Sequence, residues 1–263
     1  MDQKSCVVLI RAPKGPEDVY KKVIEQADFS VHFVKALDFE HINSEHLVSA
    51  LQKKHGGFIF TSQNAVESTF QAISTVKDKV ARFVEQWKDT PVFVVGKATA
   101  ASVMQVGLKT TGAACGNAKM LATTILKYFA DKDIPSVDPL LFPCGNLARD
   151  TLPSELESVG LKITRIVCYN TLRHPGIEES LKTLSHCKVF GSQCCIVFFS
   201  PSGVEFVLPF LTAYCDMKIT KVIAIGPTTA TSLKQVGIFP IMAHAPTPEA
   251  LLVAVHQCFI KST

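Results

Sequence analysis

Two stretches of this chain repeat one pattern. Gly96 to Leu108 reads GKATAASVMQVGL and Gly226 to Ile238 reads GPTTATSLKQVGI, identical at seven of thirteen positions. Each follows an apolar, strand-like run, Val92 to Val95 and Val222 to Ile225, and an upstream pair also matches, Phe58 to Val66 against Val197 to Val204. Two copies are too few for a solenoid, so the pattern predicts an internal duplication: two similar α/β units facing one site.

Short apolar runs bounded by turn residues recur at Cys6 to Ile10, Leu140 to Phe142, Ile163 to Val167 and Cys195 to Phe199. Helical patterns lie between them, and three of these stop at Gly107, Gly160 and Gly237, each followed by an apolar residue. Glycine suits a left-handed helix end, after which the apolar residue re-enters the core. Strand, helix, glycine, strand predicts a parallel, doubly wound, flavodoxin-like sheet in each unit. The unit running from Leu140 to Val167 has its best counterpart at the start of the chain, where Val7 to Ile10 leads through a helix to Val31 to Val34. The expected organisation is therefore a lobe of residues 39–168 inserted into a discontinuous lobe of 1–36 and 171–263. A two-strand linker at 36–39 and 169–172 would form a hinge, with a cleft between the lobes. Asp131 to Asp138 reads as an exposed loop.

With 263 residues, 47% of them apolar, the chain can fill two cores. No apolar run reaches the roughly 18 residues that a bilayer span needs, and the start shows no export signal, so a soluble cytoplasmic monomer without membrane partner is expected. Nine cysteines lack close Cys-x-x-Cys pairs and read as reduced, mostly buried thiols. A net charge of +4 with dispersed basic residues disfavours nucleic acid and leaves room for an acidic small molecule.

The predicted strand-to-helix turns carry hydroxyls and no carboxylates: Thr61-Ser62, Gly96 to Thr99, Ser200 to Gly203 and Gly226 to Thr229. One reading makes these ordinary helix caps. The other makes them anion ligands, because such turns gather at the carboxyl ends of parallel strands, where helix N-termini attract negative charge. Catalytic signatures are otherwise lacking. No Gly-x-Gly-x-x-Gly follows a strand, no phosphate-binding loop motif is present, and Ser200 to Gly203 lacks the upstream glycine of a nucleophile elbow. The histidines and cysteines lack zinc-ligand spacing, and Cys144-Gly145-Asn146 reads better as a buried thiol beside a turn than as a nucleophile. The chemistry must need little from the protein.

Phe60-Thr61-Ser62, Val95 to Ala100, Cys115-Gly116-Asn117, Leu141 to Leu147, Tyr169-Asn170-Thr171, His174-Pro175-Gly176, Phe198 to Gly203 and Ala224 to Ala230 together resemble the uroporphyrinogen-III synthases, particularly the animal form. The resemblance implies two α/β lobes joined by a β-ladder, and conversion of hydroxymethylbilane, a linear tetrapyrrole with eight carboxylates, into the cyclic III isomer through a spiro intermediate. It implies no cofactor and no metal. Tyr169 matches the family's tyrosine, either as an acid assisting hydroxide departure or as a packing residue of the linker. Thr61, Ser62, Thr99, Ser200, Ser202, Thr228 and Thr229 match the cleft turns that would hold carboxylates. Lys221 and Arg149 stand either as charge partners or as solvated surface residues, the second being the better reading for Arg149. The competing class is a two-lobed, cofactor-free sensor of an anionic small molecule.

Overall fold

The computed structural model describes residues 4–75, 80–132 and 138–259. The chain begins β1 (Cys6–Ile10), α1 (Val19–Gln26), β2 (Ser30–Phe33), β3 (Leu37–His41), α2 (Ser44–Leu51), β4 (Gly57–Phe60), α3 (Gln63–Ser74) and α4 (Val80–Trp87). It continues with β5 (Val92–Val94), α5 (Gly96–Gln105), α6 (Ala118–Asp131), β6 (Leu140–Gly145), α7 (Thr151–Glu157), β7 (Ile163–Arg173) and α8 (Ile177–His186). The last elements are β8 (Cys194–Phe198), α9 (Pro201–Tyr214), β9 (Lys221–Ala224), α10 (Pro227–Gln235), β10 (Ile241–Met242) and α11 (Pro248–Phe259). By its internal contacts the chain divides into unit 1, Met1–Asp38 with Leu172–Thr263, and unit 2, Phe39–Thr171. The divisions fall inside β3 and β7.

The sheet of unit 1 has the order β10-β9-β8-β1-β2, with every neighbouring pair parallel. Its central strands CVVLI and CCIVF are buried at every residue, as continuous apolar strands covered on both faces must be. The second sheet has the order β3-β7-β6-β4-β5, and β7-β6-β4-β5 pair in parallel. Strands β8, β9, β1 and β2 thus occupy the places of β4, β5, β6 and β7, which is the duplication seen as topology. The backbone repeats it: Val95 N–H donates to Phe60 O at 3.1 Å, and Ile225 N–H donates to Phe198 O at 3.0 Å.

The three helix-ending glycines have φ of 88° (Gly107), 87° (Gly160) and 81° (Gly237). Beyond two of them the chain turns back, with Leu161 N–H donating to Leu156 O at 3.2 Å and Ile238 N–H to Leu233 O at 3.0 Å. Two strands run further than their apolar runs predict. Strand β6 continues through Pro143 to Gly145. Its pairing with β4 ends at Leu141, so the missing Pro143 N–H breaks no ladder there. Strand β7 continues through Tyr169 to Arg173, beside β3, with Ile42 N–H donating to Cys168 O at 3.0 Å. Of the predicted loop Asp131 to Asp138, residues 133–137 lie outside the described residues.

Candidate active site

Four of the predicted residues gather at the carboxyl end of the unit 2 sheet. Thr61 and Ser62 follow β4, Thr99 sits in the first turn of α5, and Tyr169 pairs in register with Gly145, the last residue of β6. Tyr169 is 8% exposed, and its phenol lies 3.0 Å from Ser62 Oγ. Ser62 Oγ also accepts from Ala65 N–H at 3.2 Å, so this hydroxyl caps α3 and holds the phenol together. Burial pushes the phenol pKa up, more than the Ser62 hydrogen bond lowers it, so Tyr169 is protonated at neutral pH. Phe39 meets the ring edge-on, with centroids 6.0 Å apart.

The thiols nearby are inert. Burial raises the Cys144 pKa despite the Arg165 guanidinium, and burial pushes Cys168 up to about 12. Neither supplies a thiolate nucleophile at neutral pH.

In unit 1, Ser200, Ser202, Thr228 and Thr229 lie at the corresponding end of the sheet, in the turns after β8 and β9. Ser200 Oγ accepts from Gly203 N–H at 3.0 Å and so caps α9. The turn after β9 is different. The N-cap of α10 is Gly226, no side chain caps the helix, and Thr228 is exposed while Thr229 is buried. The equivalent α5 is also without a side-chain cap, and Thr99 is buried like Thr229. The capping reading thus holds for Ser62 and Ser200 and does not hold for Thr228. Lys221 is not brought to this group. It opens β9 at the amino end of the strand, paired in register with Cys195, so the strand separates it from the hydroxyl turns. Arg149 is exposed in the loop after β6.

Arg11 acquires a role only in the structure. It follows β1 at the same end of the unit 1 sheet, and its Nη2 pairs with the carboxylate of Asp18, whose side chain is fully buried. The guanidinium carbon lies 5.0 Å from the Tyr20 and Phe199 ring centroids and 5.7 Å from that of Phe33. Asp18 caps α1, accepting from Tyr20 N–H at 3.1 Å and Lys21 N–H at 3.2 Å, and takes Lys14 N–H at 2.8 Å. Burial opposes its ionisation, but these amides and Arg11 together hold the carboxyl below its usual range. The signal available beforehand was an arginine directly after a wholly apolar strand. Its partner seven residues on was not legible, because the intervening loop has no periodicity.

Among the described residues no group of three or more His, Cys, Asp or Glu side chains is arranged to hold a metal ion, and no helix is long and apolar enough to cross a membrane.

A family model described as uroporphyrinogen-III synthase HemD matches residues 18–253. The uroporphyrinogen-III synthase of Schizosaccharomyces pombe is 28% identical over 256 residues, covering 94% of this chain and 95% of that protein. The Saccharomyces cerevisiae enzyme is 28% identical over 272 residues, covering 96% of each. Among solved structures, uroporphyrinogen-III synthetase from Helicobacter pylori superposes with a TM-score of 0.65 at 16% identity, covering 97% of this chain and 99% of that one. A mutant uroporphyrinogen III synthase from Thermus thermophilus superposes with a TM-score of 0.62 at 15% identity, with the same coverage. The structural likeness establishes the fold. The family model, spanning nearly the whole chain, places this protein in the uroporphyrinogen-III synthase family.

Proposed function

We propose that this chain cyclises hydroxymethylbilane to uroporphyrinogen III, inverting ring D through a spiro intermediate, with Tyr169 assisting departure of the hydroxymethyl oxygen. The observation that carries the assignment of Tyr169 is its phenol, buried, protonated and hydrogen-bonded to Ser62 at the carboxyl end of a parallel sheet. When the Ser62 O–H donates to the phenol oxygen, the phenol O–H is left to donate to the departing oxygen. The electron-rich pyrrole expels that oxygen, leaving an azafulvene electrophile. The protein's larger contribution is to fix which carbon of ring D attacks, because the free bilane closes unaided to the I isomer.

The carboxylates of the substrate are received at the carboxyl ends of the strands by Thr61, Ser202 and the exposed Thr228 and by the uncapped amides that open α5 and α10, behind which Thr99 and Thr229 are buried. Ser62 and Ser200 contribute chiefly by holding Tyr169 and the helix starts. Lys221 has no part in this reading. The protein works as a cofactor-free monomer in the cytoplasm, the compartment being supported by its nine free cysteines, all buried except Cys187. The test is to supply hydroxymethylbilane, oxidise the products and separate the isomers. Isomer III in excess over the spontaneous reaction is expected, and isomer I alone overturns the reading.

A further inference from the structure

The Cys144-Gly145-Asn146 stretch that ends β6 is unused by the chemistry above, since its thiol is buried and inert. Its geometry gives it another role. Gly145 is not among the glycines with positive φ, so its backbone raises no objection to a side chain. Space does. A methyl group placed on Gly145 would lie 2.5 Å from Cζ, 2.7 Å from Cε2 and 2.8 Å from the hydroxyl oxygen of Tyr169, and these are its three nearest atoms. The register of β6 on β7 slips between Cys144 and Gly145, so that Gly145 faces Tyr169 where regular pairing would give Cys168. Asn146 then grips the backbone immediately after the tyrosine, on either side of Asn170. Its N–H donates to Tyr169 O at 3.0 Å, and its Oδ1 accepts from Thr171 N–H at 2.8 Å. The loop that follows is tied down in turn, with Arg165 Nη2 donating to Ala148 O at 2.9 Å and Nη1 pairing with Asp150.

We infer that Gly145 and Asn146 are positioning residues for the Tyr169 phenol, the glycine leaving the ring a bare backbone to lie against and the asparagine fixing the bulged strand that carries it. The inference rests on Tyr169 acting in the reaction, as proposed above. A phenol that must meet one departing oxygen gains from being held in a single orientation, and a displacement of about 1 Å is enough to lose it. Ser62 Oγ alone does not fix the ring, since a hydrogen bond at the para oxygen leaves the ring plane free to turn about its Cβ–Cγ axis.

The experiment measures kcat and KM for Gly145→Ala, Asn146→Ala and Asn146→Asp, each in the native protein and in Tyr169→Phe, and follows the alkaline absorbance change of the tyrosines. In the native background Gly145→Ala is expected to lower kcat by about tenfold or more with little change in KM. It should also move one phenol titration, the one missing from Tyr169→Phe, to lower pH as the ring leaves its buried seat. In the Tyr169→Phe background the same substitution should cost little further turnover, because the hydroxyl it misplaces is already gone. Asn146→Asp keeps the acceptor for Thr171 N–H and should retain most of kcat, whereas Asn146→Ala should not. That pair decides the matter if Gly145→Ala fails to fold. Equal losses in both backgrounds, or equal kcat for Asn146→Ala and Asn146→Asp, would show packing alone and overturn the inference. Native kcat in Gly145→Ala beside a slow Tyr169→Phe overturns it while leaving the role of Tyr169 intact. A fully active Tyr169→Phe removes that role, and the inference with it.

Discussion

Within each duplicated unit, two neighbouring strand-to-helix turns of similar composition end in opposite ways. After β4 and β8 a serine hydroxyl closes the helix, Ser62 on Ala65 N–H and Ser200 on Gly203 N–H. After β5 and β9 the helices open at Gly96 and behind Gly226 with no side-chain cap. The difference separates two functions that look alike in sequence. A closed turn has used its hydroxyl on its own backbone and stabilises the fold, while an open turn leaves its helix amides without a side-chain partner, and after β9 also exposes the Thr228 hydroxyl, groups whose natural complement is an anion. Between the two closed turns there is a second difference, for Ser62 reaches a tyrosine phenol as well and Ser200 does not.

The largest expected effect bears on that second difference. Tyr169→Phe should lower turnover by about ten- to a thousandfold while leaving the melting temperature nearly unchanged, the range for losing an acid when the leaving group is already good. Steady-state kinetics beside thermal unfolding would check it, and native turnover would reduce Ser62 to the same capping role as Ser200.

Next comes the open turn. Thr228→Val keeps the β-branched shape and removes no cap, so stability should hold while kcat/KM falls by about tenfold for one lost charge-assisted hydrogen bond. A loosely held bilane closes unaided, so the fraction of isomer I should rise alongside. Unchanged isomer ratio and efficiency would mean that open turns are simply uncapped helices.

The closed turn should behave in reverse. Ser200→Ala loses a cap worth about 1 kcal/mol, which lowers the melting temperature by about 2–4 °C in a chain of this size. Its effect on kcat/KM should be smaller than that of Thr228→Val. If it is larger, the serine is a ligand as much as a cap.

The smallest effect concerns the turn after β1, closed by a carboxylate. The folded pKa of Asp18 lies below its unfolded value of about 3.9, so its contribution to stability is present above that pH and is lost as pH falls through the lower folded value. Urea unfolding between about pH 5 and 3 should show a steeper acid loss in the native chain than in Asp18→Asn. Parallel slopes would show that the carboxylate titrates as it does in the unfolded chain.

Much of the architecture was legible beforehand because it rests on local, repeated chemistry. A strand buried on both faces must be apolar throughout, as CVVLI and CCIVF are, and a helix that turns back into the core needs a residue that accepts positive φ, as Gly107, Gly160 and Gly237 do. The end of β6 was not legible, because Pro143 and Gly145 carry no strand signal. Neighbouring backbone holds them extended. Lys221 shows the limit most plainly. A basic residue five positions before a glycine turn looks adjacent in sequence, but a parallel strand carries it to the opposite end of the sheet.

What the sequence determined by itself is the duplication, the parallel α/β character and the set of hydroxyl-bearing turns, since apolar periodicity and glycine placement act within a few residues of themselves. Only the tertiary structure decided which hydroxyl caps a helix and which stays open, that Arg11 meets Asp18 among three rings, and that the Tyr169 ring lies against Gly145 with its hydroxyl on Ser62. Those outcomes depend on the placement, to within about an ångström, of atoms up to 188 residues apart in the chain, as Arg11 and Phe199 are. Hydrogen bonding and steric contact vanish within about an ångström of misplacement, so a pattern that fixes a residue only to an element leaves them undetermined until the core has packed.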